Sequence, residues 1–215
     1  MDGKTPRSAL EAISAELDTE QARRRAHFLP ALLMSLVVVA GPLIVLGVRP
    51  DLLQLPPAQL AVQGLLWVLC LGVFPAIGVG LLFVGRAARL ALAVTAVALS
   101  VVAATGWPFA DVAATAHAHS HESMIGGCLP FTLGIGGLLL GIGVFSGAFV
   151  QRRRMAAVFW IAAGCSLVAL NMVTWHCPHS GMLHVLPSHL GGAALLLALA
   201  VLVGVIVRRR QDDLA

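Results

Sequence analysis

Between Trp175 and His189 the chain places one thiol and four imidazoles: Cys177 with His176, His179, His184 and His189. The whole sequence holds only eight histidines and four cysteines, so this is a marked concentration. A second group lies upstream, His117, His119 and His121 followed by Cys128. Thiolates and neutral imidazoles are preferred ligands of zinc, copper and similar transition metal ions. Two thiols can also join as a disulfide on an oxidising side of a membrane. Metal binding and redox chemistry are therefore both within reach, provided the fold gathers the two windows.

The spacings set conditions on that chemistry. His117, His119 and His121 alternate with small residues, so an extended backbone would point three rings to one face and a helix would scatter them. His176-Cys177-Pro178-His179 is too tight for a zinc finger, which means that a site must draw ligands from several elements. His184 and His189 are five apart, an offset of about 140° on an α-helix. That offset predicts that one of them serves an ion or proton while the other caps. Whether Cys128 and Cys177 approach within bonding distance is left open by the sequence, and the plain alternative is an inert, histidine-rich polar rim.

The elements that must position these residues are set by composition. Hydrophobic residues make up 59% of the chain and charged ones 11%, with a mean hydropathy of +0.91, values of a polytopic membrane protein. Six stretches are long and apolar enough to cross a hydrocarbon layer of ~30 Å as helices, at 28–48, 60–85, 88–108, 124–150, 155–174 and 184–207. The predicted fold is all-α, a bundle of six transmembrane helices. A cytoplasmic N-terminal segment at 1–26 precedes the transmembrane domain at 27–208, and a cytoplasmic tail follows at 209–215.

Orientation follows from the cations, which are retained on the cytoplasmic side of short loops. Lys4, Arg7, Arg23 to Arg25, Arg86, Arg89, Arg152 to Arg154 and Arg208 to Arg210 all fall on one side of the six spans, and only Arg49 falls on the other. Both termini are therefore expected inside, and the connections at 49–59, 109–123 and 175–183 outside. The net charge of +4 is then a topology signal that calls for a lipid bilayer and no direct nucleic-acid partner.

Ser8 and Glu11 match a capping box, which predicts a helix start there. Leu10, Ile13 and Leu17 recur at helical spacing ahead of the arginine run, a short amphipathic helix that either rests on headgroups or docks a partner. Gly41-Pro42 and Phe74-Pro75 predict kinks. Cys70 and Cys165, inside spans, are expected to pack. Gly137 with Gly141, and Gly143 with Gly147, are four apart and predict a fourth span at the middle of the bundle. Asn171 and Thr174 are costly in lipid and should face protein. No enzyme signature occurs, and none of the acidic residues falls within a span, which counts against a pump.

Six spans, a Gly-Cys-Leu-Pro start to the fourth at 127–130, and Trp-His-Cys-Pro-His at 175–179 followed by His184 and His189 form a pattern that resembles the NrsF-type inner-membrane anti-sigma factors. The resemblance implies a multi-pass protein of the bacterial inner membrane that holds an extracytoplasmic-function sigma factor inactive and responds to heavy-metal or oxidative stress. It assigns the sensing thiols to Cys128 and Cys177, with His176, His179, His184 and His189 as lesser candidates. The sigma contact would fall around Leu10, Ile13 and Leu17. The His117, His119, His121 run lies outside the family pattern and would bias this member toward a metal. A metal transporter, or a haem or redox membrane protein, are the rival readings.

Overall fold

The computed structural model describes residues 6–105, 125–145, 155–177 and 184–212. Helices α1 (Pro6–Leu46), α2 (Pro57–Gly78), α3 (Arg86–Thr105), α4 (Ile125–Phe145), α5 (Met155–His176) and α6 (Gly191–Asp212) account for nearly all of them, with no strand among the described residues. Five helical stretches are long and apolar enough to cross a membrane: Leu10–Leu46, Pro57–Gly78, Arg86–Thr105, Ala157–His176 and Val185–Ile206. A shorter apolar stretch, Gly127–Gly143, belongs to α4. The all-helical membrane architecture thus agrees with the sequence.

The centre of the bundle is α5, not the fourth span as the glycine spacing predicts. Of its apolar window 78% is buried, against 22% or 39% for α3, α6 and α2 and 6% for α1. Its close neighbours approach over glycine. A methyl group on Gly164 would stand 2.8 Å from the Cys70 carbonyl oxygen of α2. On α4 the close-contact glycine is Gly136, which lies against Leu196 of α6, whereas Gly137 and Gly141 face open space. Helix rotation, which a spacing of four does not reveal, decides which glycines meet a neighbour. Asn171 and Thr174 are buried in protein, as expected from their polarity, and Cys70 and Cys165 both sit in the principal core cluster.

Two features of the chain depart from a regular α-helix. Pro75 has no N–H to offer the preceding turn, and the helix widens to a π turn over Leu69–Val73, with the Phe74 N–H bonded five residues back to Leu69. A second π turn, Val185–Leu190, contains Pro187 and leads into α6. The first helix differs from expectation in another way. It runs unbroken from Pro6 to Leu46, through Ser8 and both Pro30 and Pro42, so the amphipathic segment and the first span form one rod about 60 Å long. Leu46 is followed by Gly47 at φ +78°, a left-handed stop.

Tertiary bonds define the two ends of the bundle. At one end Arg49 N–H donates to the Trp175 carbonyl (2.8 Å) and the Gln59 amide donates to the Ala103 carbonyl (3.4 Å). At the other, Arg24 of α1 donates to the Val79 and Gly80 carbonyls beyond α2, and Gly204 of α6 meets Val158 and Met155 at the start of α5. The N-terminal half of α1 and the C-terminal half of α6 thus share the arginine-bearing end.

Candidate metal centre

Cys128 lies in the first turn of α4, Cys177 directly follows α5, and His184 and His189 flank or occupy the π turn before α6. These four residues converge at the end of the bundle opposite Arg24. One ligand atom from each lies within 4.8 Å of all the others. Cys177 Sγ stands 3.4 Å from His184 Nε2. Bonds of ~2.3 Å to sulfur and ~2.0 Å to nitrogen in a tetrahedron put two such ligands about 3.5 Å apart, so this edge needs no adjustment.

The π turn is what makes the two histidines partners. On an α-helix a five-residue separation would splay them, which predicts separate roles. A turn closed by i to i+5 hydrogen bonds instead stacks residues five apart on one face. The Gly191 N–H bonds back to Leu186 in this way, and the His184 and His189 rings meet edge to face with centroids 5.0 Å apart. The expectation that the two share a face poorly is therefore corrected. Rings this close also leave no slot for a haem plane between them.

The surroundings favour an ion over an empty polar rim. His184, His189 and Cys177 are all buried, and Val185 and Ala193 pack beside Cys177 in an apolar cluster. Neither ring nitrogen of His189 has a partner among the described residues, which is costly for a group 1% exposed. A coordinating cation would satisfy one of them. Ser188 Oγ donates to the His184 carbonyl, and Thr132 Oγ1 donates to the Cys128 carbonyl (2.9 Å), fixing the backbone behind two ligands. Two thiolates and two neutral imidazoles around a divalent cation sum to zero charge, the arrangement that an apolar setting tolerates best. The donor set fits zinc and its softer relatives. All four cysteines are free of disulfide bonds, and the Cys128 and Cys177 sulfurs lie within 4.8 Å of each other, near enough to share one cation or to be oxidised together.

His176 goes elsewhere. Its Nδ1 stands 3.0 Å from the Gly47 carbonyl oxygen, which can only accept, so Nδ1 carries the proton; the ring also stacks on Phe131 at 5.5 Å. It tethers the end of α5 to the end of α1 and is not among the clustered ligands. His117, His119, His121 and His179 lie outside the described residues. Leu10, Ile13 and Leu17 are 68%, 54% and 63% exposed, an apolar stripe left uncovered at the far end of the molecule.

Sequence reasoning placed Asn171 against protein but missed its neighbour Gln63 on α2. Asn171 Nδ2 donates to the Gln63 carbonyl (3.4 Å), and Trp67 meets Trp175 edge to face at 5.4 Å. The Gln63 side chain is fully buried, and neither of its amide atoms has a hydrogen-bond partner among the described residues. A glutamine inside an apolar span is the signal that points to it. Family models, curated proteins and solved structures offer no match to this chain.

Proposed function

We propose that this chain is a six-span sensor of the bacterial inner membrane, of the NrsF anti-sigma type. Cys128, Cys177, His184 and His189 take up a soft or borderline divalent cation on the periplasmic side. The N-terminal part of α1 holds an extracytoplasmic-function sigma factor in the cytoplasm until that happens. The single observation that carries the reading is the convergence of two thiols and two imidazoles from three helices onto one point.

A shared ion would tie the start of α4, the end of α5 and the entry to α6 together. Helix α4 touches both the cluster, through Cys128, and α1, so a shift of α4 is the shortest route from the site to the N-terminal rod. Such a route transmits a signal only if the cation binds two arrangements of the bundle with different free energy. Oxidation of Cys128 and Cys177 to a disulfide would remove both sulfur ligands, so an oxidant and a metal would act on the same switch in competition.

The test is co-purification. The full chain in mild detergent is expected to carry a sigma factor in metal-free buffer and to release it when zinc or cadmium is added, and Cys128→Ser with Cys177→Ser should retain it throughout. Labelled zinc accumulating inside vesicles, with no sigma factor bound, would replace this reading with transport.

A further inference from the structure

A cavity lies at the end of the bundle that carries Arg24, between α1 and the rest of the bundle. One stripe of α1, Arg24, His27, Phe28, Ala31, Leu32 and Ser35, forms one wall, at the i, i+3, i+4, i+7 spacing of a single helix face. Cys70 of α2, Leu139 of α4, and Cys165 and Val168 of α5 form the opposite wall. The space between, open solvent at the mouth included, is about 730 Å³.

Its polarity runs along its length. Arg24 and His27 stand at one end, and the walls beyond them are almost entirely apolar. From Arg24 to Ser35 the helix rises about 16 Å, roughly half of a ~30 Å hydrocarbon core, which is the depth of one leaflet. Helix α1 is the least buried of the five long apolar helices, which puts the cavity behind it at the periphery of the bundle.

The cationic end is built. Arg24 donates from Nη1 to the Val79 and Gly80 carbonyls and from Nε to Glu20. Gly80, at φ +75°, leaves room for that guanidinium where any side chain would collide with it. The seat fixes the guanidinium at the cavity mouth, and among the described residues Nη2 has no acceptor. Arg23, Arg25 and Arg86 are exposed at the same end, so Glu20 does not cancel the local positive charge.

We infer that this cavity binds an anionic phospholipid, its phosphate on Arg24 and His27 and one acyl chain between α1 and α5. The inference rests on the membrane reading of the chain and is independent of the metal centre and the sigma partner. Basic pockets between helices at the cytoplasmic surface recognise anionic headgroups in this way. A lipid in this position fills the gap that separates the N-terminal rod from the bundle.

The experiment uses the full chain in vesicles of equal phosphatidylglycerol and phosphatidylcholine, re-extracted in mild detergent, with retained lipid read by mass spectrometry. Phosphatidylglycerol should be retained over phosphatidylcholine by about fivefold, the ratio that corresponds to ~1 kcal/mol for one arginine. Arg24→Gln should equalise the two, and Val168→Trp should expel both by filling the cavity. A phosphatidylglycerol carrying a photoreactive group mid-chain, used with the unaltered protein, should mark peptides containing Leu32, Leu139 or Val168. Equal retention of both lipids by the unaltered chain, recovery of free fatty acid in place of phospholipid, or photo-adducts spread evenly over α3 would each overturn the assignment.

Discussion

His184 and His189 face each other edge to face, 5.0 Å apart, because the backbone between them widens into a π turn. That turn converts a spacing unsuited to shared coordination into a pair of adjacent ligands. With Cys128 and Cys177 arriving from the two neighbouring helices, it produces a four-ligand point in a sequence with no recognisable zinc-finger spacing.

The cluster predicts one divalent ion per chain and a graded loss on substitution. Cys128→Ser, Cys177→Ser and His189→Gln should each weaken zinc binding by at least about 100-fold in chelator competition, since even outer-shell changes cost 10–100-fold. His176→Gln should leave zinc affinity within about tenfold by the same scale. Equal loss from His176→Gln would move it into the ligand set.

Glycine positions separate contact from coincidence. Gly164→Ala puts a methyl 2.8 Å from the Cys70 carbonyl oxygen and should destabilise the bundle by about 1–3 kcal/mol in denaturant titration. Gly137→Ala and Gly141→Ala meet open space and should stay within about 0.5 kcal/mol of the parent. The reverse ranking would mean that α4 is rotated from the orientation described.

Arg49 and Asp51 make a two-pronged ion pair at 2.7 and 2.5 Å in the connection between α1 and α2. The hydrogen bonds from Arg49 hold the Asp51 carboxyl below its ordinary value of 3.8, against the opposing effect of partial burial. A lowered carboxyl contributes stability that is complete above its unfolded value and is lost as pH falls through the folded one. Stability should therefore decline below about pH 4 by a fraction of ~1 kcal/mol after solvent screening, and Asp51→Asn should remove that part of the decline. Melting curves between pH 6 and pH 3 measure it; a parental decline unchanged in Asp51→Asn would assign the acid sensitivity elsewhere.

If the chain holds a sigma factor as proposed, the exposed stripe on α1 is where it should attach. Leu10→Asp, Ile13→Asp and Leu17→Asp should each weaken sigma-factor capture by about 1–2 kcal/mol, with zinc affinity unchanged. Undiminished capture by the triple variant would remove the N-terminal rod from the contact.

Five of the six expected spans were legible because continuous apolar length is a local property: the expected boundaries at 88–108 and 155–174 fall within a few residues of Arg86–Thr105 and Met155–His176. The stretch expected at 124–150, by contrast, is apolar among the described residues only over Gly127–Gly143. Rotation about each helix axis was not legible. It decides that Gly136 meets Leu196 while Gly137 meets nothing, and that His176 turns to Gly47 while Cys177 turns to His184. The ligand types were visible in composition, and Cys128, Cys177, His184 and His189 stood among the expected residues. Their grouping depended on the π turn over Val185–Leu190, which has no periodic signature. The cavity behind Arg24 was equally hidden, because it is a gap between elements and not a property of any one of them.

X-ray absorption at the zinc edge of the purified full chain tests the shared-ion claim most directly. Two sulfur neighbours at ~2.3 Å and two nitrogen neighbours at ~2.0 Å are expected, with one sulfur lost in Cys128→Ser. A shell of nitrogen and oxygen alone, unchanged in that variant, would contradict it.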